Sequence, residues 1–343
     1  MGVSVRVGVM GAGSIGCYLG GALAATGTEV VLVARDRVRE EITAHGLTVV
    51  DLGGAEQRAL PERYTLAAGA DALAGCDAVL CCVKSGQTVE AGELMARALP
   101  EGALVVSAQN GVGNADALRG VMKHQVALGG IVGFNVRSLG GGIFRRATSG
   151  PLVIEASDHG ALTGLVMVLR RAGFDVEVAA DVRARQWSKL VINLANAVSA
   201  LSGEPTQAML KSAGYRRVLA AVMGEALAVM RAAGVRTARV GPLPVQLFPA
   251  LLRMPTPLFR VLARAQLKVD PEARSSMWED LSRGRDTEVE QLNGEVVRLA
   301  EAHRIDAPIN RRVVALVHEV EAKRAGSPNL SAEALATALG IGS

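Results

Sequence analysis

Along the first 180 residues, short apolar runs alternate with stretches of helical periodicity. The runs Val5–Met10, Val30–Ala34, Ala78–Val83, Ala103–Ser107, Ala127–Phe134, Leu152–Ile154 and Asp175–Val178 predict strands. Several are apolar at every position, as expected of parallel strands covered on both faces. Between them, Ile15–Ala25, Arg37–His45 and Val89–Ala98 repeat at helical spacing. Strand-helix-strand alternation predicts an α/β fold, a Rossmann-type doubly wound parallel sheet.

After about Ala180 the pattern changes. Periods near 3.6 run through Val182–Leu201, Gly214–Ala233, Pro271–Arg283, Thr287–His303 and Asn310–Ala325, and β-like runs are few. Gly203 and Pro205 end the first of these, and Pro308 separates the last two. The expectation is an all-helical second domain. The boundary falls near 178–184, giving domains of 1–180 and 181–343. Between Val240 and Val269 five prolines (242, 244, 249, 255 and 257) sit among apolar residues. That segment reads as a loop with short helices.

Length agrees with two domains: 343 residues at about 150 per domain. Half the residues are hydrophobic and 20% are charged, so a sizeable core can form. The net charge of +4 is too small to mark nucleic acid as the partner, and aromatics at 3% leave little for stacking bases. No apolar run approaches the roughly 18 to 20 residues of a membrane span. The N-terminal apolar run is broken by Arg6 and lacks the features of a secretory signal. A cytoplasmic protein without a membrane or nucleic-acid partner is expected. Its apolar helical domain could support a homodimer. The four cysteines (Cys17, Cys76, Cys81 and Cys82) form no CxxC pair, and the five histidines lie at no metal-ligand spacing from them. Reduced, mostly buried thiols and no metal are expected.

Gly11-Ala12-Gly13-Ser14-Ile15-Gly16 is a GxGxxG placed directly after a strand and at the start of a helix. Gly11 permits the turn, Gly13 lets a pyrophosphate approach the backbone, and Gly16 lets helix and strand pack closely. The helix N-terminus offers N–H groups to the phosphates. The second strand runs into Arg35-Asp36-Arg37. A guanidinium at the strand end suits a 2′-phosphate, favouring NADP(H), while Asp36 keeps NAD(H) open.

In open α/β sheets ligands bind beyond the carboxyl ends of strands. Lys84-Ser85-Gly86-Gln87 and Gln109-Asn110-Gly111 stand at two such ends, where a plain turn is the competing reading. In Val182–Leu201, Trp187, Leu190, Val191, Leu194, Val198 and Leu201 form the apolar side, and Lys189, Asn193 and Asn196 recur on another. No charge follows Lys189 until Glu204, unusual for a solvated face. Further on, Asp286 or Thr287 could cap a helix with Glu288 in its first turn.

Together these segments resemble the ketopantoate reductase (2-dehydropantoate 2-reductase) family. Its motifs occur in order: GAGSIG at 11–16, VKSGQT at 83–88, QNGVGN at 109–114, WSKLVINLANAVSAL at 187–201 and SSMWEDLSRGRDTEVEQLNG at 275–294. The resemblance implies an NADP-binding Rossmann domain, a helical substrate and catalytic domain, and NADPH-dependent reduction of a 2-oxo acid. It implies that Lys189 is the general acid and Glu288 the paired carboxylate. It assigns substrate contacts to Ser276, Asn193 and Asn110, with Asn196 a further candidate. The cofactor residues it implies are Gly11, Gly13, Ser14, Ile15, Gly16, Arg35, Lys84, Gln87 and Asn110. The chain departs from the family pattern twice. Members often carry a second asparagine eight residues after the lysine, where this chain has Ala197 and places Asn196 one residue earlier. The 240–269 segment looks like an insertion. The expected substrate is ketopantoate, the reaction serving pantothenate synthesis. A paralogous reductase of another oxo acid, a β-hydroxyacid dehydrogenase and an NADPH-binding redox sensor remain alternatives.

Overall fold

The computed structural model describes residues 5–240, 243–263 and 274–342. The chain divides into two compact units, Met1–Val182 and Arg183–Ser343.

In the first unit, six parallel strands form one sheet. Their spatial order is Tyr64–Ala67, Glu29–Val33, Arg6–Met10, Ala78–Cys81, Leu104–Ser107 and Val126–Leu128. This is the doubly wound order, with its reversal between Arg6–Met10 and Ala78–Cys81. Successive side chains point to opposite faces of a strand. Val7, Val9, Val30, Leu32, Leu80 and Val106 enter one core, while Met10, Val31, Val79, Cys81 and Val105 enter the other. Two buried faces explain the uninterrupted apolar runs.

The expected strand Ala127–Phe134 is two strands. Val126–Leu128 continues the large sheet, and Gly130–Val132 pairs antiparallel with Leu152–Glu155 in a second one. The change of sheet brings Gly130 against the carbonyl of Ser107, where a Cβ would lie 2.5 Å from that oxygen. Thr48–Val50, Glu56–Arg58, Val136–Gly140 and Ile143–Arg146 make a further sheet. All four are short, and the edge strands Glu56–Arg58 and Val136–Gly140 are largely exposed, so their sequences carry little hydrophobic alternation.

Among the described residues, the second unit is helical apart from the two-residue strands Arg239–Val240 and Leu243–Pro244. Helix Ala213–Ala232 packs against Thr206–Lys211, Phe248–Leu252, Val289–Ala302, Pro308–Lys323 and Ala332–Ala338. Its Val218, Leu219, Val222, Met223, Ala226 and Met230 are buried. The expected helix Val182–Leu201 is interrupted once. Val182–Asn193 and Ala195–Ser202 flank Leu194, whose backbone stays right-handed helical and whose amide still donates to the Leu190 carbonyl at 3.0 Å. Gly203 stops the second piece at φ +72°, a conformation that favours glycine. Pro308 opens the last long helix at its first position, where a missing N–H costs nothing. The expected helix Pro271–Arg283 is Ser276–Ser282 within the described residues; 271–273 lie outside them.

In the proline-rich segment, Phe248–Leu252 and Thr256–Leu262 are short helices, and 264–269 lie outside the described residues. Arg216 holds the segment to the bundle. Its buried guanidinium donates to the carbonyls of Leu210 (3.0 Å), Lys211 (3.3 Å), Leu252 (3.2 Å) and Met254 (3.4 Å) and to Thr256 Oγ1 (2.9 Å). Phe259 lies under the guanidinium at 4.5 Å. A buried cation is tolerated here because its donors meet fixed acceptors.

Candidate functional site

The glycine turn sits where strand Arg6–Met10 gives way to helix Ser14–Ala25. Gly11 has φ +96°, and a Cβ there would lie 2.7 Å from the backbone nitrogen of Val83. A Cβ on Gly16 would stand 2.4 Å from the Gly11 carbonyl oxygen. These two glycines are therefore required by the fold. Gly13 is different. It is exposed, and a Cβ would meet nothing within 4 Å. The space above it is open to a ligand, and Ser14 and Ile15 beside it are half-buried. The helix that starts there has no side-chain cap and no acid in its first turn, so its N-terminal field is available to phosphate.

Arg35 follows the second strand and is exposed. Its Nη2 donates to Gln87 Oε1 at 3.1 Å, so residues 52 positions apart meet beyond two strand ends. Lys84 is exposed at the end of the neighbouring strand region, and Asn110 is exposed one strand further on.

A buried hydrogen-bond network fixes these strand-end segments. Gln109 Nε2 donates to the Val83 carbonyl (3.0 Å) and to Thr88 Oγ1 (2.7 Å), and Ser107 Oγ donates to Gln109 Oε1 (2.9 Å). Asn114 Nδ2 donates to the Asn110 carbonyl (2.7 Å), and Ser85 Oγ donates to the same carbonyl (2.9 Å). Thr88 Oγ1 lies 3.0 Å from Asn114 Oδ1. Gln109, Thr88 and Asn114 were not among the sequence-predicted site residues. Their signal lay in the polar character of the two strand-end segments, which a plain turn does not need.

In the second unit, the apolar side of the Lys189 helix pair is buried as expected, from Trp187 to Leu201. Lys189, Asn193 and Asn196 are half-buried. Burial lowers the Lys189 ammonium from the usual 10.5 to about 8, against the opposing pull of the Glu288 carboxylate. Glu288 is the N-cap of helix Val289–Ala302 rather than a member of its first turn, and its side chain makes no capping bond. Thr287 Oγ1 instead accepts from the Val289 amide at 3.2 Å. Asp286 pairs with Arg324 at 2.7 Å.

The adjacent serines differ. Ser275 is buried, accepts from the Trp278 amide as N-cap (3.1 Å) and donates to the Asn196 carbonyl (3.0 Å). Ser276 is the first residue of the helix and is exposed. Sequence reasoning singled out Ser276 and missed Ser275, which joins the helix starting at Ser276 to the one carrying Asn196. Ala197 is fully buried.

The expected residues thus fall into two sets. Gly11, Gly13, Ser14, Ile15, Gly16, Arg35, Lys84, Gln87 and Asn110 belong to the first unit. Lys189, Asn193, Asn196, Ser276 and Glu288 belong to the second. Cys17, Cys76 and Cys81 are buried, and burial pushes Cys17 and Cys81 up to about 12.

Comparison with known proteins covers nearly the whole chain. Residues 7–159 match the family model described as ketopantoate reductase PanE/ApbA, and residues 181–321 match its C-terminal counterpart. A 2-dehydropantoate 2-reductase of Halobacterium salinarum is 30% identical over 324 residues, covering 91% of this chain and 98% of the relative. The crystal structure of a PanE/ApbA family ketopantoate reductase from Ralstonia eutropha JMP134 has a TM-score of 0.80 and 36% identity, covering 93% of this chain and 99% of that one. A D-mandelate dehydrogenase solved with NADH and anilino(oxo)acetate has a TM-score of 0.74 at 20% identity, covering 93% and 99%. At that identity the likeness is one of fold.

Proposed function

Because the chain belongs to the ketopantoate reductase family, we propose that it reduces 2-dehydropantoate (ketopantoate) to pantoate with NADPH, as a step of pantothenate synthesis. The family assignment makes it an NADP-dependent oxidoreductase acting on CH–OH groups. The first domain, about 1–180, holds the cofactor, and the second, about 181–343, holds the substrate and the proton donor.

The residues fit NADPH. Gly13 leaves open the space a side chain would fill, at an uncapped helix N-terminus suited to a diphosphate. Arg35 offers a guanidinium to a 2′-phosphate, steadied by Gln87. Lys84 and Asn110 line the same strand ends. When bound, NADPH supplies the hydride.

The chain's own residues supply charge and proton. Negative charge builds on the ketone oxygen as the carbonyl is reduced. Lys189 stabilises it and delivers a proton from Nζ. Glu288 keeps that ammonium protonated against the cost of burial. Ser276 and Asn193 orient the substrate from the second domain, with Asn196 a further candidate. The observation that carries this reading is the half-buried Lys189 ammonium set against the Glu288 carboxylate, with burial lowering its pKa. A general acid works best with a pKa near the operating pH. The test is oxidation of NADPH by wild type and K189A with ketopantoate: turnover in the first and its loss in the second are expected.

A second reading keeps the chemistry and changes the substrate to another 2-oxo acid. Ala197 supports it, because this buried methyl stands where members often have an asparagine. A panel of 2-oxo acids separates the two. Oxidation of 3-hydroxy acids, or NADPH binding without turnover across the panel, would point instead to a β-hydroxyacid dehydrogenase or a redox sensor.

A further inference from the structure

Thr287, immediately before Glu288, is tied to a distant helix. Its backbone N–H donates to Glu321 Oε1 at 2.7 Å. Glu321 is buried on helix Pro308–Lys323, 34 residues away in sequence. Its second oxygen, Oε2, lies 2.7 Å from Nδ1 of His318. The other ring nitrogen, Nε2, lies 2.8 Å from Glu290 Oε1 on helix Val289–Ala302. One imidazole therefore spans two carboxylates on two helices, and one of them, Glu290, is two residues after Glu288.

We propose that Glu321, clamped by His318, is a positioning residue that fixes the Thr287–Glu288 backbone and so holds the Glu288 carboxylate in its relation to Lys189. Ionised carboxylates only accept hydrogen bonds, so both ring contacts need an N–H. Only the imidazolium has two. The clamp is complete when His318 is protonated, and one contact is lost when it is neutral. The bonds to Glu290 and Glu321 raise the pKa of His318, in the direction this requires. The charged groups around the ring are Glu321 on its own helix and Glu290 on the facing one, with Glu290 also paired to Arg298 at 3.3 Å. Asp286 and Arg324 pair with each other beside them. Among the described residues no three His, Cys, Asp or Glu side chains are placed to hold a metal. The cluster therefore reads as a proton-dependent clamp.

The proposal rests on the assignment of Lys189 and Glu288 as the catalytic pair, but its test does not need turnover. The side-chain nitrogen of Lys189 is titrated by NMR in the full chain, its signal assigned by loss in K189R. The titration is run in wild type, E321A, E321Q and H318Q. E321Q keeps an Oε1 acceptor for the Thr287 amide but turns the oxygen facing His318 into an NH2, so it is expected to shift the Lys189 midpoint no more than H318Q does. E321A removes the acceptor and frees Glu288, so burial acts on Lys189 less opposed. Its midpoint is expected to fall by about half a unit or more. H318Q replaces a half-exposed ring and keeps the fold; it is expected to shift the midpoint the same way by less. Unchanged midpoints in both E321A and H318Q would overturn the proposal. Absence of NADPH oxidation by wild type would strike the reductase assignment and leave the titration result standing.

Discussion

Arg35 Nη2 donates to Gln87 Oε1 at 3.1 Å, joining the end of the second strand to the loop after the fourth. The guanidinium is exposed but held, with Nη1 and Nε left for an anion. A charged hydrogen bond contributes about 1.5–3 kcal/mol. R35A is therefore expected to raise the KM for NADPH by about 10- to 100-fold and to leave that for NADH nearly unchanged. Steady-state kinetics with both cofactors checks this. Equal weakening of both would show that Arg35 supports the fold rather than the 2′-phosphate.

The two serines should separate stability from binding. S275A removes a helix cap and the bond to Asn196, and is expected to cost about 1–2 kcal/mol in urea unfolding. S276A alters an exposed hydroxyl and should stay within about 0.5 kcal/mol of wild type, while raising the KM for the oxo acid. The reverse pattern would exchange their roles.

Lys189 must be protonated to donate, and its pKa lies at about 8. Turnover is expected to fall as pH rises through that value. K189A should lose about 10²- to 10⁴-fold in kcat and still bind NADPH, measured by fluorescence titration. A profile flat to pH 9 would remove Lys189 as the acid.

The same shift has a consequence for stability. The folded value is depressed below 10.5, so between about 8 and 10.5 the unfolded chain binds more protons than the folded one. Stability then rises with pH across that window, and at pH 7 the buried ammonium is a cost. K189A is expected to melt higher than wild type at pH 7 by about 2 °C or more, and to lack the rise between pH 8 and 10.5. A lower melting temperature would mean that the Lys189 stem contributes more by packing than its charge costs.

Five of the six strands of the large sheet and the glycine turn were legible because local rules act there, whereas the half-exposed edge strand Tyr64–Ala67 was not. Buried parallel strands need unbroken apolar runs, and Gly11 and Gly16 answer to contacts that admit no Cβ. Lys189 stood out as the last charge before a long uncharged stretch of helix. Less was legible where a residue acts through a distant partner. Nothing near Thr287 announces that its amide meets Glu321, nor does Gln109 announce that it reaches Val83 and Thr88. The strands Thr48–Val50, Glu56–Arg58, Val136–Gly140 and Ile143–Arg146 were missed because each has only three to five residues, too few to show a period, and the two edge strands are almost wholly exposed. The sheet change at Gly130 was hidden inside a run that stays apolar on both sides of it.

The most direct test follows the loss of reduced-nicotinamide absorbance when wild type is given NADPH and ketopantoate, with NADH and other 2-oxo acids as controls. The account expects turnover of ketopantoate with NADPH well above that with NADH, and lowered about 10²- to 10⁴-fold in K189A. No turnover of ketopantoate or any other 2-oxo acid, from a protein that binds NADPH, would contradict it.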